Sequence, residues 1–383
     1  MPGRRGSSPA VTDPAATARG ARGGPAAAPH EAAPTGPAPT GPGASARETF
    51  RAWSELLRVS ALFSVPGDAL AGAAAAGVRP GRGTAWAVGS SLCLYEAGMA
   101  LNDWADRHED AVERPHRPLP SGRVSPGAAL GAAGALTVTG LSLAARAGRP
   151  ALTVAAALAA TVWAYDLRLK HTAAGPLAMA AARGLDLVLG AVATVSTTRG
   201  APPRPGAPPP RGAPPPPGAA ASLRTATALR AAAPAAAALA AHTYAVTAVS
   251  RHETQGGSTS APLGALAVTA VLGVMAAAPR PAAHRLDTRA GPPSASRRVS
   301  GSTTERVTLL LATTYLRTAA GPLLHAALNP SPLLTQRAVG GGIRAMIPLQ
   351  AALAARSGAP VGGLALLGLA PAARRLARRV SPT

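Results

Sequence analysis

The chain has 383 residues, of which 47% are hydrophobic but only 3% aromatic, with 42 glycines, 40 prolines and a formal net charge of +22. A soluble core of this size is normally filled by large side chains, whereas Ala and Gly at this density suit helices packed closely in lipid, which sets aside a soluble multidomain protein. The charge does not point to nucleic acid either: of 38 basic residues only Lys170 is lysine, the arginines are scattered through tails and loops, and almost no aromatics are present to stack on bases.

Residues 1–50 are rich in Pro, Ala and Gly, contain no apolar signal segment, and read as a disordered tail. Residues 51–380 read as one membrane-embedded domain. A bilayer core needs about 20 apolar residues as helix. Apolar runs of nearly that length fall at 59–77, 84–102, 127–147, 150–166, 175–197, 226–249, 261–278, 306–328 and 343–370, the last interrupted by Arg356, Gly358 and Pro360. The expected fold is therefore all-α, a polytopic transmembrane bundle of about nine spanning helices around a central cavity, with the lipid bilayer as its surroundings. Two Pro/Arg-rich stretches, 199–222 and 279–304, read as irregular loops on the same side as each other. Basic residues divide almost evenly between the two sides, so charge bias does not orient the chain. Cys93 is the single cysteine, which excludes an intrachain disulfide.

The chain has 16 carboxylates, and Asp103, Asp106, Glu109, Asp110 and Glu113 crowd together directly after the second apolar run. On a helix, Asn102, Asp106 and Asp110 recur at i, i+4 and i+8, with Asp103 beside them, and share one face at a membrane boundary. Like charges at that spacing repel, and each carboxylate drawn to the bilayer centre costs about 3 kcal/mol. A hard divalent cation such as Mg²⁺ or Ca²⁺ offsets both penalties; a solvated acidic loop without a ligand is the alternative. Arg114, Arg117 and Arg123 follow within the same loop, and guanidinium suits phosphate, although arginines at a bilayer edge also serve as anchors. Asp68, Glu96, Asp166, Arg183 and Asp186 fall in or at the ends of apolar runs and are expected to face the bundle interior. Arg183 and Asp186, three residues apart, are expected to neutralise one another. His242 has no assigned role.

The segment NDWADRHEDAVERPHRPLPSG at 102–122 resembles the first signature of the UbiA superfamily of intramembrane prenyltransferases, N-D-x-x-D-x-x-x-D followed by R-P-x-x-x-G. YDLRLK at 165–170 is similar to a Tyr…Lys segment of the same family. After the sixth run the resemblance calls for several spaced aspartates. HTYAVTAVSRHETQGG at 242–257 offers Ser250 and His252 in their place and leaves Glu253 as the one acid. The resemblance implies Mg²⁺ held by Asn102, Asp103, Asp106, Asp110 and Glu253. It implies a diphosphate bound by Asn102, Arg114, Arg117, Arg123, Tyr165 and Lys170, with Asp106, Asp110 and Lys170 carrying catalysis. The implied activity is Mg²⁺-dependent transfer of an isoprenyl group from a prenyl diphosphate to a small aromatic or otherwise electron-rich acceptor. The implied location is the cell membrane, multi-pass, with the N-terminus inside. The thinned second signature leaves a non-catalytic prenyl-lipid-binding or pathway-accessory protein as the alternative.

Overall fold

A computed structural model describes residues 45–58, 64–198, 217–278, 295–368 and 371. Among them there are helices and no strands. The expected tail before residue 45, most of loop 199–222 and residues 279–294 lie outside the described residues.

Helix α1 (Ala46–Leu56) begins inside the stretch expected to be tail. Its start is a capping box: the Glu48 N–H donates to Ser45 Oγ at 3.3 Å, and the Ser45 N–H donates to Glu48 Oε2 at 2.8 Å. Both orphan donors of the first turn are thereby satisfied. The helix buries Ala52 and Leu56 against Leu119, Val124 and Ala129 and leaves Phe50 exposed.

Helices α2 (Val65–Ala75) and α7 (Gly175–Thr197) approach backbone to backbone. A Cβ on Gly72 would collide with the carbonyl oxygen of Leu187, and one on Gly190 with the backbone of Ala69. Small residues here do what large apolar ones do in a soluble core. Around this pair stand α3 (Arg82–Ala105), a short α4 (Arg107–Glu113), α5 (Pro126–Ala147), α6 (Arg149–Ala164), α8 (Pro217–Ser250), α9 (Ser260–Ala277), α10 (Ala295–Leu328) and α11 (Pro332–Arg356). α6 continues into a π-helical turn, Tyr165–Leu169, closed by the Lys170 N–H donating to the Tyr165 carbonyl at 2.9 Å. The apolar stretch of α11 is 83% buried against 22% for α5, so α11 is central and α5 peripheral.

Among the described residues, seven helices are long and apolar enough to cross a membrane: α5, α6 with its π turn, α7, α8, α9, α10 and α11. The expected nine counted α2 and α3 as well. α2 has 11 described residues, and α3, though 24 residues long, is diluted by Ser90, Ser91, Tyr95 and Glu96. Three helix starts also differ from expectation, those of α8, α10 and α11, whereas the break in the last run falls where Arg356, Gly358 and Pro360 interrupt it. Residues 217–222 and 295–304 extend α8 and α10 rather than forming loop. The last expected run is two pieces. α11 starts at Pro332, where Ser331 Oγ caps the Leu334 N–H at 3.4 Å, and the chain breaks at Gly358, with φ of 93°, before a helical segment over 360–368. A side chain would strain that φ, so glycine marks the break.

Helix ends fall at two edges. At one, Lys170 meets Asp106, Arg251 Nη1 donates to the Thr172 carbonyl at 2.5 Å, and the Gly257 N–H donates to the Pro330 carbonyl at 2.8 Å. The connections after α3, α6, α8 and α10 are thus tied together. At the other, Thr84 and Thr194 hydroxyls meet at 2.8 Å, Arg146 lies over the Trp86 ring at 5.2 Å, and Arg356 Nε donates to the Ala278 carbonyl at 3.1 Å.

Candidate active site

The acidic run is nearly one continuous helix with a hinge at Asp106, which ends α3 and opens α4. The Asp106 N–H donates to the Asn102 carbonyl at 2.9 Å, and the Asp110 N–H to the Asp106 carbonyl at 2.8 Å. The hinge divides the acids. Asp106 contacts Lys170 Nζ, and its Oδ1 lies 4.0 Å from His171 Nε2. Asp106, Glu109 and His171 each present a ligand atom, all within 4.8 Å of one another. The two carboxylates supply the hard oxygens that Mg²⁺ takes, whereas the imidazole beside them is a ligand type better suited to a transition metal.

Asp103 and Asp110, both buried, turn instead to guanidiniums. Asp103 Oδ1 accepts from Arg58 Nη2 at 3.0 Å and from Asn102 Nδ2 at 3.4 Å, and lies 3.7 Å from Arg117 Nη1. Asp110 accepts from Arg117 at 2.7 Å and Arg114 at 3.4 Å. Arg123 is drawn away to Glu55 of α1, at 2.8 and 3.2 Å, and to the His116 carbonyl at 2.7 Å. Tyr165 and Lys170 stand at the two ends of the π turn, with Asp166 buried between them. Glu253 lies half-buried in the turn after α8, where burial raises its carboxyl above the usual range, and it is not part of the Asp106 cluster. The group that reaches the Lys170 turn from that segment is Arg251.

Three participants were not assigned from the sequence. Glu109 and His171 adjoin assigned residues, and their adjacency was the available signal. Arg58 lies 45 residues from its partner Asp103 and carries the one positive φ among described non-glycine residues, 48°. No pattern in the sequence announces either fact.

A second polar cluster lies deeper. Arg183 donates to Asp68 Oδ2 at 2.6 Å and to Ser64 Oγ at 3.2 Å, and Gln350 Nε2 donates to Asp68 Oδ1 at 2.7 Å and the Ser64 carbonyl at 2.8 Å. The hydrogen-bonded partner of Arg183 is therefore Asp68 of α2, while Asp186, expected to neutralise it, takes a hydrogen bond from Ser91. The two oxygens of Glu96 are buried with no hydrogen-bond partner. His242 donates through Nε2 to the Gly342 carbonyl at 3.0 Å, since a carbonyl only accepts, which leaves Nδ1 to accept from the Tyr315 hydroxyl at 3.0 Å.

The sequence profile of the UbiA prenyltransferase family matches residues 62–346, most of the chain. The chain belongs to that family. Among curated relatives, digeranylgeranylglyceryl phosphate synthase of Methanopyrus kandleri is 38% identical over 127 residues, 32% of this chain and 45% of the relative. The protein of that name from Halobacterium salinarum is 35% identical over 156 residues, 40% of this chain and 56% of the relative. The bacteriochlorophyll synthase 33 kDa chain of Rhodobacter capsulatus is 38% identical over 112 residues, 27% and 37% of the two. The chain thus spans about half or less of the length of these relatives. A solved structure concerning digeranylgeranylglyceryl phosphate synthase in membranes aligns with a TM-score of 0.50 at 13% identity, covering 81% of this chain and 99% of that one. At that identity the likeness concerns the fold. For this UbiA family member the fold is a polytopic helical bundle, and the acidic run from Asn102 to Asp110 falls at the edge where four connections meet.

Proposed function

We propose that this chain is an integral-membrane prenyltransferase of the cell membrane that moves an isoprenyl group from a prenyl diphosphate to an aromatic or other electron-rich acceptor, with Mg²⁺. The observation that carries this reading is the Asp106, Glu109 and His171 cluster beside Lys170, at the rim of an apolar bundle. Mg²⁺ held by these side chains, with Asn102 nearby, would supply charge neutralisation for the departing diphosphate. Lys170, Arg114 and Arg117 take up the remaining negative charge, and Tyr165 lines the same turn. The arginines now sit on Asp103 and Asp110. An arriving diphosphate competes for them and releases those carboxylates toward the cation. In the reaction the allylic C–O bond breaks with its electron pair going to the diphosphate oxygen. A bond then forms from the acceptor to the allylic carbon, and the acceptor loses a proton.

Purified protein given prenyl diphosphates and candidate acceptors should release diphosphate only with Mg²⁺ and stop on chelation. Asp106→Asn should lower the rate by about a hundredfold or more, as expected when a main electrostatic contact is removed. Turnover unchanged by both treatments would overturn the proposal. Glu253 as the one acid of its turn, outside the Asp106 cluster, favours a second reading, a protein that binds the prenyl diphosphate without turning it over. Tight Mg²⁺-dependent binding with no diphosphate released across the acceptor panel would select it.

A further inference from the structure

Between the end of α10 and the start of α11 is a cavity of about 350 Å³ lined by Pro322, His325, Leu334, Arg337 and Arg344. Its size falls in the range of small-molecule sites, roughly 300–1,000 Å³. Two of its five lining residues are arginines seven apart, on one face of α11. Neither has an acidic partner among the described residues. α11 contains no Asp or Glu and α10 contains only Glu305, toward its opposite end; the neighbouring connection, bonded to Pro330 through Gly257, carries Glu253.

That arrangement is costly for a helix of a membrane bundle. Arg344 lies about 18 Å along the axis from Pro332, at 1.5 Å of rise per residue. Its side chain folds back along the helix: a Cβ on Gly340 would lie 3.2 Å from Arg344 Nη1, so the absence of a side chain at Gly340 leaves room for the guanidinium. Arg344 thereby points along α11 toward the end that carries Arg337, where the Gly257–Pro330 hydrogen bond ties α10–α11 to the neighbouring connection. The two guanidiniums and the imidazole line one open cleft, exposed, with no salt-bridged carboxylate among the described residues, and that donor set suits an anion. Guanidinium forks match phosphate oxygens, and basic pockets between transmembrane helices take acidic lipid headgroups.

We propose that the α10–α11 cleft is a phosphate-binding site, separate from the Asp106 cluster. Arg337 and Arg344 grip the phosphate, His325 donates a further hydrogen bond, and Pro322 and Leu334 pack against the apolar part of the ligand. The phosphate belongs either to an anionic lipid of the bilayer or to a small phosphate ester, and the chemistry of recognition is common to both.

The test needs neither prenyl diphosphate nor Mg²⁺, so it succeeds or fails independently of the catalytic reading. The purified full chain in neutral detergent is titrated with dioctanoyl phosphatidylglycerol, with dioctanoylglycerol lacking the phosphate, and with glycerol phosphate, while thermal unfolding is followed. Phosphatidylglycerol should raise the midpoint saturably and dioctanoylglycerol should not. Arg337→Gln with Arg344→Gln should weaken the apparent affinity at least about tenfold, as loss of a charge-assisted pair requires, with Lys at both positions restoring part of it. A saturable shift from glycerol phosphate alone, lost in the same double variant, supports the site with a small phosphate ester as ligand. Equal shifts from the two dioctanoyl compounds, or an unchanged response in the double variant, would overturn it. Should the double variant fail to fold, each single Gln variant is titrated, and a wild-type response in both counts against the site.

Discussion

The division of labour among the acids begins with Asp106. It faces Lys170 and His171 across the gap between α3 and α6, whereas its neighbours Asp103 and Asp110 are buried against arginines. The Arg117–Asp110 pair is the test of that burial. Asp110 is almost wholly enclosed, while Arg117 remains about a quarter exposed, with side-chain exposures of 3% and 24%. Arg117→Ala leaves the carboxylate with only the longer Arg114 contact. Its cost, discounted for the exposed arginine, should be about 2 kcal/mol in thermal unfolding, and Arg117→Ala combined with Asp110→Asn should recover part of it. Glu96 predicts the opposite sign. Neither buried oxygen has a partner among the described residues, so Glu96→Met should stabilise the fold by about 1–3 kcal/mol and raise the unfolding midpoint. A lowered midpoint would show that Glu96 is satisfied in a way its surroundings do not reveal.

At the scale of elements, α1 is the piece whose presence matters beyond its size. It carries Glu55, which holds Arg123, and leads into Arg58, which holds Asp103. The helix exists because Ser45 and Glu48 close its first turn and because Ala52 and Leu56 have a surface to pack against. Ser45→Ala should cost about 1 kcal/mol, the usual worth of an N-cap. Its visible effect should be faster hydrogen exchange confined to α1, with the α2–α7 contact unaffected because the Gly72 and Gly190 approaches do not involve it. The π turn after α6 is the second such element. Its extra residue per turn sets Tyr165 and Lys170 at opposite ends of one hydrogen bond, so the helix terminates with both at the candidate site.

Across the whole molecule, the alternating helices gather four connections at one edge. In a Cys93→Ala background, Ser121→Cys and Thr254→Cys should react with a membrane-impermeant thiol reagent from the same face of sealed vesicles, and Gly81→Cys from the other. Labelling of Ser121→Cys and Thr254→Cys from opposite faces would contradict the arrangement. The same gathering places the turn that bears Glu253 and Arg251 against the Lys170 turn, with the arginine making the contact. The connection rich in acid, after α3, thus belongs to an edge where the α8 turn presents a cation to the Lys170 turn.

The sequence by itself determined the class of fold and the place where the carboxylates collect. Long Ala- and Gly-rich apolar runs have few ways to satisfy their backbone other than as helices in lipid, and five acids crowded after one such run leave little doubt where charge collects. It also carried, unread, the capping box at Ser45 and the helix start at Ser331 and Pro332. Tertiary structure alone decided partners. Which guanidinium meets which carboxylate depends on helix ends brought together from distant parts of the chain. Arg58 finds Asp103, Lys170 finds Asp106, and Arg183 bonds Asp68 rather than its own neighbour Asp186. A charge in low dielectric takes the partner that packing brings within reach, and spacing along the chain cannot encode that choice.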